Sequence, residues 1–230
     1  MKSRVIAAQV CLILGCLASA PAFGQDPAKT LPGNYTVALE NDWVRVLRVY
    51  VPAGAKLPSH EHPGALIAYV YLTDSDPIVF KHDGSNGTIT RPAVKARSYR
   101  LSTGTVGETH AIENNSATDS IYLRIEYKTE GSQTAQTRGR RAAAPPLKSE
   151  SAVDVDFTNA AMRITRVTIA AGQSMEMATD EHPALLIDLT ADVGKARWID
   201  PNDRESIGAT GTSAVEYFRF DFLTAPLRPY

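Results

Sequence analysis

The sequence predicts an all-β fold in which two similar β domains follow one another. Three segments alternate β-branched or aromatic residues with polar ones, as strands with one buried face do: 44–51, 121–127 and 162–169. Each is bounded by Gly, Pro, Asn or Asp, the residues that form turns. No segment after residue 30 has a sustained helical apolar period, so we expect no long helix.

The second observation is an internal repeat. Four segments of the first half recur in the same order in the second half, with a two-residue insertion between the first and second matches. Self-similarity of this kind indicates a duplicated domain, here over residues 35–130 and 151–226. The matched segments are 41–54 with 159–172, 61–67 with 181–187, 95–97 with 195–197, and 122–127 with 217–222.

Residues 131–150 separate the two domains. They are rich in small and polar residues and poor in large apolar ones, so we expect an exposed, flexible linker that proteases cut. A basic cluster, Arg138-Gly139-Arg140-Arg141, lies within this linker. It would either bind an acidic surface or be solvated, and the linker composition favours solvation.

The first 24 residues have the order of a secretory signal peptide: positive charge at Lys2 and Arg4, an apolar run over 5–14, and small residues up to Gly24. Cleavage near Gly24 would deliver the chain to the periplasm or the medium. The apolar run is shorter than the ~20 residues of a membrane span, and no later segment is apolar enough, so we expect no transmembrane segment in the mature chain. The alternative is a lipoprotein signal with its lipid on Cys16.

The composition of the mature chain excludes further classes. Both cysteines, Cys11 and Cys16, lie in the leader, so the mature chain should contain neither a disulfide nor a thiol. Loss of Lys2 and Arg4 leaves 22 basic residues against 25 acidic ones, a net charge of −3. A chain without a basic excess is not expected to bind nucleic acid.

Three of the five histidines have the spacing of a metal site. His60 and His62 are two residues apart, so on a strand both imidazoles project from the same face. His110 follows about fifty residues later, shortly before the predicted strand at 121–127. Neutral imidazole is a common ligand of Zn, Fe, Cu and Ni, so the three could chelate one ion. The alternative is three hydrogen-bonded strand histidines without an ion.

The residues around these histidines resemble the two motifs of the cupin superfamily. Gly-x5-His-x-His, beginning at Gly54, is similar to the first motif, and Gly-x2-His-x3-Asn, beginning at Gly107, to the second. The resemblance implies two double-stranded β-helix (jelly-roll) barrels in tandem, with a metal site only in the first. It also implies individual roles: His60, His62 and His110 are metal ligands, and Gly54, Gly107 and Asn114 form turns.

The sequence departs from the cupin motifs at the acidic ligand, because Leu66 and Ile67 stand at its two candidate positions. Thr105 replaces the Pro of the second motif and Tyr99 its first Gly. The site would therefore hold a divalent transition metal, whether Fe, Zn, Mn, Ni or Cu, through three histidines, as in the iron sites of some cupin oxygenases. Three neutral ligands leave open positions for water, oxygen or a substrate. No carboxylate is placed beside the histidines by sequence.

The two remaining histidines, His182 and His82, have weaker support as metal ligands. Asp180, His182 and Glu205 take the histidine positions in the second half, but the glycine and asparagine signatures are missing around Glu205. We therefore expect the second repeat to be mainly structural, and a divergent second site stays an alternative. His82 lies in the turn-like sequence Lys81-His82-Asp83-Gly84, so we expect it to be exposed to solvent.

Charged and aromatic residues near the predicted site allow two interpretations each. Tyr69 and Tyr71 alternate on the strand after the ligands and would line a pocket or pack in the core, with packing favoured. Three arginines recur between the halves, which salt bridges on the solvent face explain better than a substrate-anion site. They are Arg45, Arg48 and Arg124 in the first half and Arg163, Arg166 and Arg219 in the second.

The predicted site supports two functions. One is a metal-dependent enzyme, of oxygenase or isomerase type, acting on a small molecule. The other is a non-catalytic periplasmic protein that binds a small molecule or a metal. The jelly-roll fold does not decide between them, because it does not specify function. Either function is compatible with a homodimer. Metal binding should weaken as the pH falls through ~6.5, where an ordinary imidazole takes up a proton.

Overall fold

The computed structural model describes residues 26–84, 87–103, 107–129 and 141–227. They form antiparallel β-strands and one short helix, α1 (Pro27–Thr30), which confirms the all-β prediction. No helix in these ranges is long and apolar enough to span a membrane. The strands are β1 (Tyr35–Glu40), β2 (Val44–Val51), β3 (Lys56–His62), β4 (Leu66–Tyr71), β5 (Ile78–His82), β6 (Thr88–Arg91), β7 (Tyr99–Thr103), β8 (Glu108–Glu113), β9 (Ser120–Tyr127), β10 (Arg141–Ala142), β11 (Ala152–Thr158), β12 (Met162–Ile169), β13 (Ser174–Ala178), β14 (Ala184–Asp188), β15 (Ala196–Ile199), β16 (Arg204–Gly208) and β17 (Val215–Phe222).

The first half of the chain folds into two facing sheets, here called the first sandwich. One sheet has the order β1-β2-β9-β4-β7-β10 and the other β3-β8-β5-β6. A cluster of buried side chains lies between them, with Leu47 and Ile67 from the larger sheet and Leu57 and Ile112 from the smaller. β2 and β9 also bury residues of their other face, Val46 and Ile125 among them, although the alternating pattern at 44–51 and 121–127 predicts only one buried face.

The second half forms the second sandwich, whose sheets are β11-β12-β17-β14-β15 and β13-β16. The five-stranded order matches β1-β2-β9-β4-β7 position for position. The first hairpin of each sandwich also contains a register shift, between Val37 and Leu39 in one and between Val155 and Phe157 in the other. A β-bulge at the same place gives both hairpins the same local bend.

Asn41 and Asn159 explain why both first hairpins turn alike. The side-chain oxygen of Asn41 accepts hydrogen bonds from the backbone N–H groups of Trp43 and Val44. The oxygen of Asn159 accepts from the residues two and three positions on in the same way. Such Asx turns fix the direction in which the following strand starts.

The two sandwiches pack against each other through the outer faces of their larger sheets. This apolar cluster includes Leu123 and Ile125 of β9 and Phe218 and Phe220 of β17, all buried. Because side chains alternate across a strand, β9 turns its remaining residues, Arg124 among them, into the first sandwich. The strand β9 therefore contributes both to the contact between the sandwiches and to the interior of the first sandwich.

Part of the predicted linker is a strand. Arg141 and Ala142 form β10, which pairs with Tyr99 and Arg100 of β7 at the edge of the larger sheet. Two residues of the predicted linker thus lie in a strand, because backbone groups at an open sheet edge can accept a further strand. Residues 131–140, with most of the basic cluster, and the predicted signal peptide at 1–24 lie outside the described residues.

Candidate metal centre

Strands β3 and β8 bring the three predicted ligands together. His60 pairs directly with His110 in the antiparallel register, and His62 lies two residues farther along β3. Residues two apart on a strand share a face, so all three side chains point into the first sandwich, where each is at most 4 % exposed. The structure thus brings together the residues that the spacing selects.

The glycines and the asparagine of the cupin-like motifs hold the ends of these strands. Gly54 has φ +70°, a left-handed conformation that favours glycine. The buried Asn114 side chain donates to the carbonyl oxygens of Val51, Pro52 and Thr118 at 2.8–3.1 Å, which ties the end of β8 to the turn after β2. At Gly107 a Cβ would lie 3.0 Å from the His62 carbonyl oxygen, so a side chain there would press on the end of β3.

The spacing of the three imidazoles fits one common ion. Their ring centroids are 5.1 Å (His60 to His62), 4.8 Å (His60 to His110) and 5.2 Å (His62 to His110) apart. With metal–nitrogen bonds of ~2.1 Å and angles of ~90–110°, the centroids of ligating imidazoles would be ~4.5–5.2 Å apart. The ligand atoms lie within 4.8 Å of one another, so some point is within ~2.8 Å of all three, less than 1 Å beyond bonding distance.

Hydrogen bonds orient the His60 ring toward the cluster. Its Nδ1 lies 2.9 Å from the Pro58 carbonyl oxygen, which can only accept, so Nδ1 carries the proton. The Nε2 lone pair then faces the Tyr35 hydroxyl at 2.8 Å. This is the tautomer that a metal ligand needs, with one nitrogen fixed by the protein and the other free to bind an ion.

Two carboxylates stand behind the other histidines. Glu126 Oε1 is 3.6 Å from His62 Nδ1, and Glu108 Oε2 is 3.7 Å from His110 Nδ1. Carboxylates in this position orient metal-bound imidazoles and raise their basicity. The sequence places no carboxylate beside the histidines, but the fold supplies Glu108 and Glu126.

Arg124 joins the two carboxylates. Its Nε donates to Glu126 Oε1 at 2.7 Å, and its Nη1 donates to Glu108 Oε1 at 2.7 Å and to the Tyr69 hydroxyl at 2.9 Å. Burial by itself lowers the pKa of the guanidinium, but Tyr69 and the two carboxylates outweigh burial and raise the pKa overall. Arg124 is therefore a permanent cation that keeps Glu108 and Glu126 ionised.

Burial also controls the imidazoles. It is the largest cause lowering the pKa of His60 to about 4 and that of His62 to about 3, and nearby positive charge adds to it. Burial raises the pKa of Glu126, but the neighbouring His62 and Arg124 outweigh it and lower the pKa. The expected loss of metal binding at pH ~6.5 is thus misplaced, because desolvation keeps these imidazoles neutral and able to ligate at lower pH.

His82 is not the exposed turn residue that its sequence suggests. It is the last residue of β5, pairs with His110 across the sheet, and has a side chain only 10 % exposed. Its Nδ1 lies 4.0 Å from Glu108 Oε2, so His82, Glu108 and His110 form a second group able to hold an ion. The turn-forming residues Asp83 and Gly84 follow the strand instead of displacing it, which is why the local sequence misled.

Five of the six recurring arginines form salt bridges with described residues, but two of the five are not on the solvent face. Arg124 and Arg166 are each 2 % exposed. Arg166 donates to Glu216 Oε2 at 3.0 Å and to the carbonyl oxygen of Arg97, which belongs to the first sandwich. A buried guanidinium requires such partners. The others lie nearer the surface: Arg45 binds Asp26, Arg163 and Arg219 bind Asp221, and Arg48 contacts the Val193 carbonyl oxygen.

Tyr69 and Tyr71 take the core-packing role that the sequence favours. They are buried in the apolar cluster of the first sandwich, and the Tyr69 hydroxyl also accepts a hydrogen bond from Arg124 Nη1. The guanidinium carbon of Arg100, on the neighbouring strand β7, lies 4.3 Å from the centre of the Tyr69 ring. The interior beside the histidines is therefore aromatic and contains buried positive charge.

The candidate ligands of the second half are not brought together. Asp180 and His182 follow the end of β13 in a loop, where Asp180 Oδ1 contacts His182 Nδ1 at 3.2 Å. Glu205 lies on β16 and binds Arg197 at 2.7 Å. Among the described residues, the groups of three or more ligand candidates both include His110.

Sequence reasoning missed Tyr35, Glu108 and Glu126. A signal exists for the carboxylates, because Glu108 is two residues before His110 and Glu126 two residues after Arg124. Residues at that spacing share one face of a strand. No such local signal exists for Tyr35, whose approach to His60 depends on how distant strands pack.

Comparison with known proteins shows the fold. No protein-family model and no curated protein matches the chain. YhhW from Escherichia coli aligns with a TM-score of 0.55 and 15 % identity over 86 % of this chain and 85 % of that one. A second structure, described as the bacterial pirin YhhW in complex with nickel(II), gives 0.56 and 14 %, with 85 % of each chain covered. A mutant salicylate 1,2-dioxygenase from Pseudoaminobacter salicylatoxidans gives 0.53 and 9 % over 79 % and 72 %. At these identities the likeness shows the fold alone, which is the cupin fold.

Proposed function

We propose that this chain is an exported, tandem cupin that binds one divalent first-row transition metal in its first sandwich and uses it on a small molecule. The observation that carries the proposal is the cluster of three buried imidazoles, whose ring separations of 4.8–5.2 Å suit one shared ion. Neighbours in the solved structures include one described with nickel(II) and one named as a dioxygenase, which supports metal-dependent chemistry of this kind.

The donor set suits Fe, Zn, Mn, Ni or Cu, since neutral imidazoles bind these ions. Such an ion would act as a Lewis acid or as an oxygen-binding centre of an oxygenase or isomerase. His60, His62 and His110 would hold it, and Glu126 and Glu108 would orient His62 and His110 from behind. Arg124 keeps both carboxylates ionised and in place. The aromatic wall, with Tyr69 and Tyr71, would exclude water and pack against an organic substrate.

Metal content tests the proposal directly. Protein purified without chelators or a histidine tag should contain about one ion per chain by elemental analysis, in line with a single three-histidine site. His60→Ala, His62→Ala and His110→Ala should each lose most of it. His182→Ala is the matched control, because this histidine is a half-buried loop residue outside the cluster. Equal metal in all four variants would refute the assignment.

His82→Ala tests whether the second group, His82, Glu108 and His110, takes part in binding the ion. His82 lies 4.0 Å from Glu108, and its ring centroid is 5.1 Å from that of His110. It is outside the group of three buried histidines, so this variant should retain the ion. Loss of the ion from His82→Ala as complete as from His110→Ala would mean that His82 belongs to the ligand set.

An enzyme and a non-catalytic binding protein make different predictions about turnover. For an oxygenase, protein loaded with Fe(II) should consume oxygen when its substrate is added, and His110→Ala should not. A binding protein would take up a small molecule without changing it. The aromatic and cationic interior favours an organic ligand over free metal storage in either case.

The proposal also includes export of the chain and different roles for the two sandwiches. The leader at 1–24 would be removed near Gly24, leaving a periplasmic or secreted chain, with a lipid anchor at Cys16 as the alternative. N-terminal sequencing of the protein from the periplasmic fraction tests cleavage. The second sandwich would serve mainly as structural support for the first, since Glu205 pairs with Arg197 and does not join Asp180 and His182 in a group of ligands.

A further inference from the structure

Tyr35 has a position that the three-histidine site by itself does not explain. It begins β1 and is 1 % exposed, inside the first sandwich. Its hydroxyl lies 2.8 Å from Nε2 of His60. Its ring centroid is 5.0 Å from that of His60 and 5.6 Å from that of His62. A phenol oxygen therefore stands beside the candidate ligand atoms.

The hydrogen bond between Tyr35 and His60 occupies the lone pair that an ion would use. Because His60 Nδ1 donates to the Pro58 carbonyl oxygen, Nε2 has no proton of its own, and the Tyr35 hydroxyl donates to it. An ion bound at Nε2 must displace this phenol proton. The oxygen then faces the ion with its own lone pairs.

The observed distance is already that of two ligands on one ion. Two donor atoms at ~2.1 Å from a metal, at an angle near 90°, are ~2.9 Å apart, against 2.8 Å between Tyr35 Oη and His60 Nε2. The two atoms therefore already have the separation of adjacent ligands on one ion. The chain also has no carboxylate at Leu66 or Ile67, where cupin motifs have their acidic ligand.

We infer that Tyr35 is a fourth protein ligand of the metal, bound through its phenolate oxygen in place of the missing carboxylate. This inference rests on the proposed function, since it requires the three-histidine site. On binding, the phenol O–H bond breaks, an oxygen lone pair forms the bond to the ion, and the proton leaves to solvent. No oxidation state changes. The single negative charge offsets half of the charge of a divalent ion, as a carboxylate would.

Copper(II) serves as the probe, because it binds nitrogen ligands tightly and reports on both ligand types. Histidine nitrogens split its electron paramagnetic resonance signal, and a phenolate ligand adds a visible charge-transfer absorption. One equivalent of Cu(II) added to the full chain should give both signals. Resonance Raman excitation into the visible band should show phenolate ring modes, a readout that needs no variant.

Tyr35→Phe keeps the ring and removes the oxygen. It should retain the nitrogen splitting, lose the charge-transfer band, and bind Cu(II) at least ~10-fold more weakly. Tyr217→Phe is the matched control, a buried tyrosine of the second sandwich, and should keep both signals. A band that is absent from the unaltered chain, or that persists in Tyr35→Phe, would overturn the role of Tyr35 and leave the histidine site intact. Absence of nitrogen splitting from the unaltered chain would instead overturn the proposed function and this inference with it.

Discussion

Replacing Arg124 with methionine tests whether the charge network behind the histidines stabilises the fold. Methionine fills a similar volume without the charge. The substitution leaves Glu126 and Glu108 without the guanidinium that each now contacts at 2.7 Å. The Glu126 side chain is only 4 % exposed and that of Glu108 26 %, so water cannot replace the lost partner at Glu126.

The expected cost follows from this burial. Removal of one partner from a buried ion pair costs about 3–5 kcal/mol, because the remaining charge stays desolvated. The Arg124 side chain is 2 % exposed, so solvent screening does not reduce the figure as it does for surface pairs. For a chain of this size the loss corresponds to a decrease in Tm of roughly 6–20 °C. Replacing Glu108 and Glu126 with glutamine in the same chain should restore most of it, because no buried charge is then left unpaired.

The effect should depend on pH in a defined direction. The pKa of Glu126 is lowered in the folded protein, so its stabilising contribution is present above the unfolded value of ~4.3 and is lost as the pH falls through the folded pKa. Without Arg124, burial dominates and the carboxylate takes up a proton at higher pH. The difference in unfolding free energy between the two proteins should therefore shrink as the pH falls through ~4.3.

Urea unfolding with a chelator present, at pH 7 and at pH 4, measures these differences without a contribution from bound metal. Lys95→Met is the control, because Lys95 and Asp74 form a salt bridge with side chains 77 % and 59 % exposed, and its midpoint should not change. A loss below ~1 kcal/mol for Arg124→Met, the range of surface pairs, would refute the reasoning. So would a loss that the glutamine replacements fail to reverse.

Three further predictions concern the histidines, the turns and the contact between the sandwiches. With a chelator present, the free energy of unfolding should fall as the pH decreases from ~6.5 toward about 4. Burial keeps His60 and His62 neutral in the folded protein, while the unfolded chain takes up protons. Equal urea midpoints at pH 7 and pH 5 would contradict this. Asn114→Ala removes three buried hydrogen bonds and should lower the unfolding free energy by ~1–3 kcal/mol, measured in the same way. Gly194→Ala should lower Tm, because φ at this glycine is +86° and the new Cβ would lie 2.5 Å from the Leu72 side chain of the first sandwich. Gly211→Ala is the control and should leave Tm unchanged, because its new Cβ would have no atom within 4 Å.

The sequence predicts the parts of the site that depend on local spacing. Strand alternation places His60 and His62 on one face whatever the rest of the fold does. The motif glycines and Asn114 identify the turns that end their strands, so His110 could be matched to them. These features require only the periodicity of a strand and the backbone preferences of a few residues.

The remaining parts depend on which strands become neighbours. Glu126 reaches His62 only because β9 crosses the larger sheet opposite β3, and Tyr35 reaches His60 only because β1 starts at the same end. His82 shows the converse error, since a turn-forming sequence directly after it suggested exposure while the strand continued through it. Long-range register is set by the packing of whole sheets, and local patterns in the sequence do not reveal it.

The alternation of β9 links the second sandwich to the candidate site. Arg124 and Glu126 face the histidines, while Leu123 and Ile125, their immediate neighbours, are fully buried against β12, β14 and β17. Close-packed interiors transmit displacements, because they contain few voids to absorb them. A shift of β9 toward or away from the second sandwich would therefore move the guanidinium and the carboxylate that orient His62. The second sandwich contributes in this way to the geometry of a site to which, within the described residues, it supplies none of the candidate ligands.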